Sequence, residues 1–510
     1  MSEALVLNDF TLFRGTGESP IAGARVVITD GVIASVEAGP THVAREGRVL
    51  EGRGRWLLPG LWDTHMHHGF SAGALLSPEE FSDEQLQLNW RSYLRSGVTS
   101  VVSVGDDPRR IVAARTAERE GSLLAPRICA AGSVFTAPGG HPVGTILRGE
   151  AVRVGALAIE VGDPVEGARR VRQVVEDHRV DIIKVIYSSI PGNGPRLRRE
   201  VLDALVEEAH GRSRPVLAHV STPQDAAECV AAGVDGLEHM VLEDGEVLDH
   251  VLAAAHERGV FWTPTLSLFD RMAHDFDSTY VEDYRPEGFV SRTILNSVRE
   301  WAARGPTSAT GGPVPRWERT IELAGRAHAA GVRLAVGTDA GMIAVFHGLA
   351  VHRELELLVR AGLTPTEALI AATAVAAAKV GAQERLGTVE VGKEADLVVL
   401  RESPLKDIRN TREIDCVIKR GKLFEPDELT VVWQSVTRLY WPEAEIAAVD
   451  RLLNDRGAQR ALGHVSMEYN PTGGQPELRT QLWLPGRAAV RRRLLGTVHD
   501  HGIPVRLDVA

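Results

Sequence analysis

Two histidines separated by one residue, His65-Met66-His67, are the first feature of this chain that could do chemistry. On a β-strand, side chains two apart share a face, with their Cα atoms about 7 Å apart. Two imidazoles so placed can converge on one metal ion, and Asp63 falls on the same face. Spacing alone is weak support. With 18 histidines in 510 residues, chance supplies about 0.6 such pairs. A second pair, His499-Asp500-His501, does occur, but it falls at a predicted helix end beside Gly502. At helical spacing two such side chains diverge, so that pair reads as solvated surface.

Position in the chain separates the two pairs. His65 and His67 end the first of eight short apolar runs, at 57–67, 99–105, 127–131, 181–186, 215–220, 236–239, 260–265 and 333–339. Between the runs lie amphipathic helical stretches such as 199–211, 223–233 and 317–331. This alternation predicts an α/β fold, a (β/α)₈ TIM barrel, whose active sites sit at the C-terminal ends of the strands. An open doubly wound sheet would need a Gly-rich phosphate loop after an early strand, and the sequence has none.

Four more polar groups fall on that rim. Lys184 lies in run four, His219 closes run five, His239 closes run six and Asp339 closes run eight. Each alone has an ordinary explanation: a hydrogen-bonded strand-end histidine, an aspartate N-cap, a lysine reaching for solvent. Together on one rim they predict a metal site. His141, in the loop Pro138-Gly139-Gly140-His141-Pro142, is a candidate donor to a carbonyl oxygen that gains charge; stabilising its own turn is the alternative. Tyr187 could line the same mouth or pack in the core. His68 is expected beside the site or in solvent, and His328 is expected to be structural.

The flanks read differently. Residues 1–58 and 385–428 carry strand patterns and are expected to pair into a small β-sandwich beside a barrel spanning 59–384. Residues 429–510 read as an α+β extension: helix 442–456, strands 462–469 and 478–484, helix 487–501 and strand 505–509. It is expected to pack on the barrel or mediate a subunit contact. The segment 268–316 is long for a βα connection and aromatic, as a substrate lid or an oligomer contact would be.

Composition excludes several function classes. The net charge of −11, without a long basic run, gives no electrostatic reason for nucleic-acid binding. No run of 18 apolar residues predicts a membrane span. Met1–Leu5 lacks the basic start of a signal peptide, and three scattered cysteines suggest no disulfide framework, so a cytoplasmic, reducing compartment is expected.

The motifs together resemble the amidohydrolase superfamily, within it the imidazolonepropionase-like and prolidase-like enzymes. The matching text is Leu58-Pro59-Gly60-Leu61-Trp62-Asp63-Thr64-His65-Met66-His67, Asp181-Ile182-Ile183-Lys184, Leu217-Ala218-His219-Val220, Gly236-Leu237-Glu238-His239 and Val336-Gly337-Thr338-Asp339-Ala340-Gly341. A later stretch, Gly387 to Leu400, matches a sandwich strand pair of that family; the tail after 430 lies outside the resemblance.

The resemblance implies a hydrolase acting on an amide, lactam or related C–N bond of a small molecule. It implies divalent metal, two Zn²⁺ (or Mn²⁺, Co²⁺ or Fe²⁺), one held by His65 and His67 and the other by His219 and His239. Lys184, carboxylated by CO₂, would bridge them. Asp339 would touch metal and move the proton of the attacking water. The alternatives are a prolidase-like dipeptidase, an ester or carbamate hydrolase at the same centre, or a non-catalytic scaffold. Val220-Ser221-Thr222 departs from the prolidase-like pattern, which counts against a dipeptidase. A homo-oligomer with no nucleic-acid or membrane partner is expected. Asp63 is expected to orient a ligand histidine rather than bind metal.

Overall fold

The computed structural model describes residues 4–39, 47–73, 83–147, 157–188, 194–274, 277–304 and 317–431, together with four short strands beyond them. Strands β1 (Leu5–Leu12), β2 (Ile21–Thr29), β3 (Val32–Glu37), β4 (Arg48–Glu51) and β5 (Trp56–Pro59) open the chain. The β2–β3 hairpin turns at Asp30-Gly31, both at positive φ (51° and 78°), the backbone that a two-residue hairpin loop demands.

The barrel follows. Its strands are β6 (Leu61–Met66), β7 (Val98–Ser103) and β8 (Arg127–Ala130). A short parallel pair, β9 (Val134–Thr136) and β10 (Ala158–Glu160), lies between these and β11 (Ile183–Ile186), β12 (Val216–His219), β13 (Gly236–Glu238), β14 (Phe261–Thr263) and β15 (Arg333–Leu334). Neighbours from β6 to β8 and from β11 to β15 pair in parallel. Two sets of backbone bonds close the ring. Asp181 N donates to Ala130 O at 2.8 Å, joining β11 to β8. Thr64 N donates to Val336 O at 2.9 Å and His67 N to Ala340 O at 2.8 Å, joining the last strand segment to β6. An apolar cluster fills part of the interior: Trp62, Val102, Ile182 and Leu217 pack with Ala376, Ala377 and Leu386.

Helices return the chain between strands, and their ends are local in origin. Arg199–Gly211, Pro223–Ala232 and Glu318–Ala329 form where the apolar spacing predicts them. Thr222 and Asp225 form a reciprocal capping box with Pro223 at the first turn, and Gly233 ends that helix in the left-handed region.

After the barrel come β16 (Leu397–Leu400), β17 (Ile414–Lys419) and β18 (Lys422–Phe424). They join the N-terminal strands in one sheet, ordered β18-β17-β16-β5-β1-β2-β3, with β4 also on β1. Alternate side chains (Leu7, Phe10, Val26, Leu57, Val399, Ile418) share one core. The register of β16 on β5, Leu397 opposite Pro59, links segments more than 300 residues apart and places β6 directly after the sheet.

The segment after β14 is helical, with Leu266–Ala273, Ser278–Asp283 and Arg292–Arg304. Tyr280 and Tyr284 are buried. Tyr280 Oη donates to Asp270 at 2.9 Å, and Arg353 of the helix Leu349–Arg360 grips the same carboxylate at 2.7 and 3.1 Å.

The chain divides into two compact units, residues 1–429 and 430–510. In the second, β19 (Thr437–Tyr440), β20 (Val465–Glu468), β21 (Glu477–Thr480) and β22 (Arg506–Val509) form an antiparallel sheet ordered β20-β21-β19-β22. The strand at 437–440 was not foreseen. The helices expected at 442–456 and 487–501, and with them His499 and His501, lie outside the described residues. Among the described residues no helix is long and apolar enough to cross a membrane.

Candidate metal centre

The C-terminal ends of the barrel strands surround a small cavity of about 70 Å³. His65, His67, His141, Lys184, His219, His239 and Asp339 all line it. Strand geometry delivers them: β6 carries His65, with His67 just beyond it, β11 carries Lys184, and β12 ends on His219. His239 and Asp339 lie just past their strand segments with φ of 70° and 62°. Left-handed backbone at a non-glycine residue is strained and is kept only where the surroundings enforce it. It also breaks strand alternation, so Glu238 and His239 both reach the His65 ring. The ring of His239 lies 4.7 Å from that of His65 and 4.4 Å from that of His219.

Three of the imidazoles have a partner at Nδ1. His65 Nδ1 meets Glu238 Oε2 at 2.6 Å, His67 Nδ1 meets Gly105 O at 3.0 Å, and His239 Nδ1 meets Thr265 Oγ1 at 2.9 Å. An acceptor at Nδ1 fixes the proton there and leaves Nε2 a lone pair. The Nε2 atoms of His67 and His65 then lie 3.2 and 3.6 Å from Asp339 Oδ1. That oxygen is buried and has no aligned hydrogen-bond donor. Ligand atoms of His65, His239 and Asp339 all fall within 4.8 Å of one another.

The electrostatics support neutral rings at His65 and His239; at His67 burial is outweighed by Asp339 and Asp106, and that ring is shifted upward. Burial pushes His239 down to about 3 and His65 well below its ordinary range, so both are neutral imidazoles. Burial likewise lowers Lys184 to about 8, against the pull of Glu238 and Asp339. Burial opposes ionisation of Asp339, but contact with His67 holds its carboxyl below the usual value.

The sequence profile of the amidohydrolase family matches residues 56–424. The chain belongs to the amidohydrolase family. A second profile, of an uncharacterized protein conserved in bacteria, matches residues 384–506. The chain is similar to the ochratoxinase of Aspergillus niger, 28% identical over 81% of this chain and 85% of the relative. It is also similar to an uncharacterized protein of Mycobacterium bovis, 26% identical over 81% of this chain and 95% of the relative. Among solved structures it resembles a Xaa-Pro dipeptidase with methionine bound in the active site: TM-score 0.67, 26% identity, 83% of this chain and 100% of that one. This amidohydrolase is of the prolidase-like branch, a barrel hydrolase acting on carbon–nitrogen bonds.

The amidohydrolases of this family generally use divalent metal, and the residues fit one. The Nε2 atoms of two imidazoles and a carboxylate oxygen with no aligned partner face each other across a buried gap, an arrangement that a bound cation suits. Neutral nitrogen and anionic oxygen are the donor set that Zn²⁺ and its neighbours take.

Three residues around the centre escaped sequence reasoning. Glu238 backs His65, Lys379 pairs with Glu238 at 2.7 Å, and Thr265 holds His239. Only Glu238 left a trace, as a carboxylate inside an apolar run next to His239. Asp63 needs correction. It orients no histidine ring: it accepts from Thr338 Oγ1 at 2.6 Å, Thr338 N at 3.0 Å, Tyr93 Oη at 3.0 Å and His65 N at 3.3 Å. It ties β6 to the backbone that presents Asp339, and burial raises it to about 6 despite those bonds.

Other expectations resolve simply. His141 lines the cavity, its ring 5.3 Å from His219 and its Nδ1 2.6 Å from Thr145 Oγ1. Burial lowers it to about 4. Tyr187 is not among the lining residues; it bonds Glu228 beneath the Arg196 guanidinium. His68 stacks on Trp90 at 3.8 Å, and His328 meets Glu367 at 3.4 Å. None of the described residues of the 268–316 segment lines the cavity.

Proposed function

We propose that this amidohydrolase cleaves an amide or lactam bond of a small, largely apolar substrate at a centre of two divalent metals. One observation carries the reading: four histidines, Lys184 and Asp339 converge on one cavity, with Asp339 Oδ1 facing two imidazole nitrogens and no aligned donor. His65, His67, His219, His239 and Asp339 would hold the metals. Lys184 would bridge them after its buried amine adds to CO₂ and loses a proton, giving an N-carboxylate. When bound, divalent metal supplies Lewis acidity to the scissile carbonyl and to water.

The chain's own residues do the rest. Asp339 takes a proton from the attacking water and returns it to the leaving nitrogen. His141, whose Nδ1 lies 2.6 Å from Thr145 Oγ1, would donate from Nε2 to the carbonyl oxygen as charge grows, in the tautomer that carries its proton there. Val134, Leu147, Leu157, Ile186 and Met342 wall the cavity and exclude water from the bond being broken. The ochratoxinase likeness supports amide cleavage.

The dipeptidase resemblance favours a second reading, peptide hydrolysis. A dipeptide carboxylate needs a cation, and among the described lining residues the only lysine or arginine is Lys184, already in the centre. Protein loaded with Zn²⁺, Mn²⁺ or Co²⁺ and bicarbonate should bind two ions per chain. It should cleave neutral N-acyl arylamides in preference to free dipeptides, and His65→Ala and Asp339→Asn should abolish turnover. One ion per chain overturns the binuclear centre; preference for dipeptides overturns the apolar substrate class.

A further inference from the structure

Beneath the centre lies a charge pair that the proposed chemistry does not use. Lys379 ends the helix Ala374–Lys379, after the last barrel strand, and it is fully buried. That helix belongs to the barrel's apolar interior through Ala376 and Ala377. Backbone bonds from Trp62 N to Ala372 O and from Val336 N to Ala371 O put this segment at the starts of the strands, the end opposite the cavity. Lys379 Nζ therefore enters the barrel from below. It forms an ion pair with Glu238 Oε1 at 2.7 Å and donates to Thr263 Oγ1 at 2.5 Å and Thr64 Oγ1 at 3.3 Å.

The other carboxylate oxygen, Glu238 Oε2, holds His65 Nδ1 at 2.6 Å. The space around the pair is tightly filled. A Cβ on Gly236 would lie 2.7 Å from a Leu217 methyl, 3.5 Å from Lys379 Cε and 3.7 Å from Glu238 Oε1. Burying a lysine and a glutamate is expensive, and a well-packed neutral pair commonly serves stability as well or better. The arrangement therefore calls for a use beyond stability.

We propose that Glu238 and Lys379 are positioning residues that lock His65 as a metal ligand. Glu238 keeps the His65 proton on Nδ1 and the ring in one orientation, so Nε2 faces the centre. Lys379 holds the carboxylate in that pose from the far end of the barrel. The proposal rests on the reading of His65 as a ligand.

The test uses the full chain with Zn²⁺ or Co²⁺ as probe. The double variant Glu238→Gln/Lys379→Met removes both charges and leaves no unpaired one. Its metal-free form should melt close to wild type. Zn²⁺ affinity, by competition with a chromophoric chelator, should fall roughly 10- to 100-fold, as loss of a ligand's hydrogen-bond partner does. The visible spectrum of the Co²⁺ form should change as well. Wild-type affinity and spectrum in the double variant, with His65→Ala still weakening metal binding, would overturn the proposal alone. Wild-type metal binding by His65→Ala would instead remove the ligand assignment beneath it. Should the double variant not fold, Glu238→Asp keeps both charges and withdraws the carboxylate by one methylene. Weakened Zn²⁺ binding there supports the proposal, and unchanged binding refutes it.

Discussion

Replacing Asp396 with asparagine should destabilise the first unit by about 3 kcal/mol at neutral pH without touching the chemistry. Asp396 immediately precedes β16 and is buried. It accepts from Arg127 Nε at 2.5 Å and Nη2 at 3.2 Å, from Lys419 Nζ at 3.1 Å and from Arg420 N at 2.7 Å. Burial alone would raise its carboxyl, but Lys419 and Arg127 outweigh it and hold it down to about 2, from an ordinary 3.8. That difference corresponds to about 2 kcal/mol of folding free energy. Breaking a buried pair from one side costs roughly 3–5 kcal/mol. The low end applies, because Lys419 keeps Glu118 at 3.0 Å and Arg127 keeps Glu394. The folded-state pKa is depressed, so the ionised contribution is complete above the unfolded value and is lost as pH falls through the folded one. The assay is urea unfolding of wild type and Asp396→Asn by tryptophan fluorescence. The gap between them should be constant from about pH 8 to pH 5 and should lose about half of its ionisation-linked part by about pH 3. Turnover of the folded variant should be unchanged, since Arg127 begins β8 at the end opposite the cavity. Equal stability at neutral pH, or a gap that does not narrow in acid, would refute the reasoning.

The centre offers further tests. Lys184→Ala should lose activity and regain part of it with added formate or acetate, which would supply the missing carboxylate; absence of rescue, with metal still bound, counts against a bridging N-carboxylate. His141→Asn should fold normally and lower kcat by roughly 10²–10³, with a smaller change in KM. At Gly337 a Cβ would lie 2.5 Å from Thr263 Cγ2 and 2.8 Å from His65 Cβ. Gly337→Ala should therefore cost roughly 1–3 kcal/mol in unfolding assays and weaken Zn²⁺ binding through the displaced His65. Metal removal by a chelator should lower the melting temperature, with recovery that depends on the concentration of re-added Zn²⁺.

Much of this molecule is legible one segment at a time. The His65-Met66-His67 spacing puts two imidazoles on one strand face because the pleat has a period of two. Each of the eight apolar runs overlaps a barrel strand, although the first also takes in part of β5 of the flanking sheet and the last holds only the two residues of β15; Thr222-Pro223 and Gly233 mark helix ends, because strand period and capping depend only on near neighbours. The rim position of Lys184, His219, His239 and Asp339 follows from the same alternation of strand and helix.

Partners chosen across the fold were not legible. His65 and Glu238 are 173 residues apart, and Lys379 and Thr64 are 315 apart. No local pattern encodes either pair; both exist because the ring closes and one short helix enters its lower end. Asp63 shows the same limit. Its face on the strand could be read, but its partners Thr338 and Tyr93 were set only when β6 met the last strand segment. The sequence determined which side chains stand at the rim, because strand period and strand ends are local. The tertiary structure decided which of them are backed, neutralised and aimed, because those contacts form only when distant strands close around them.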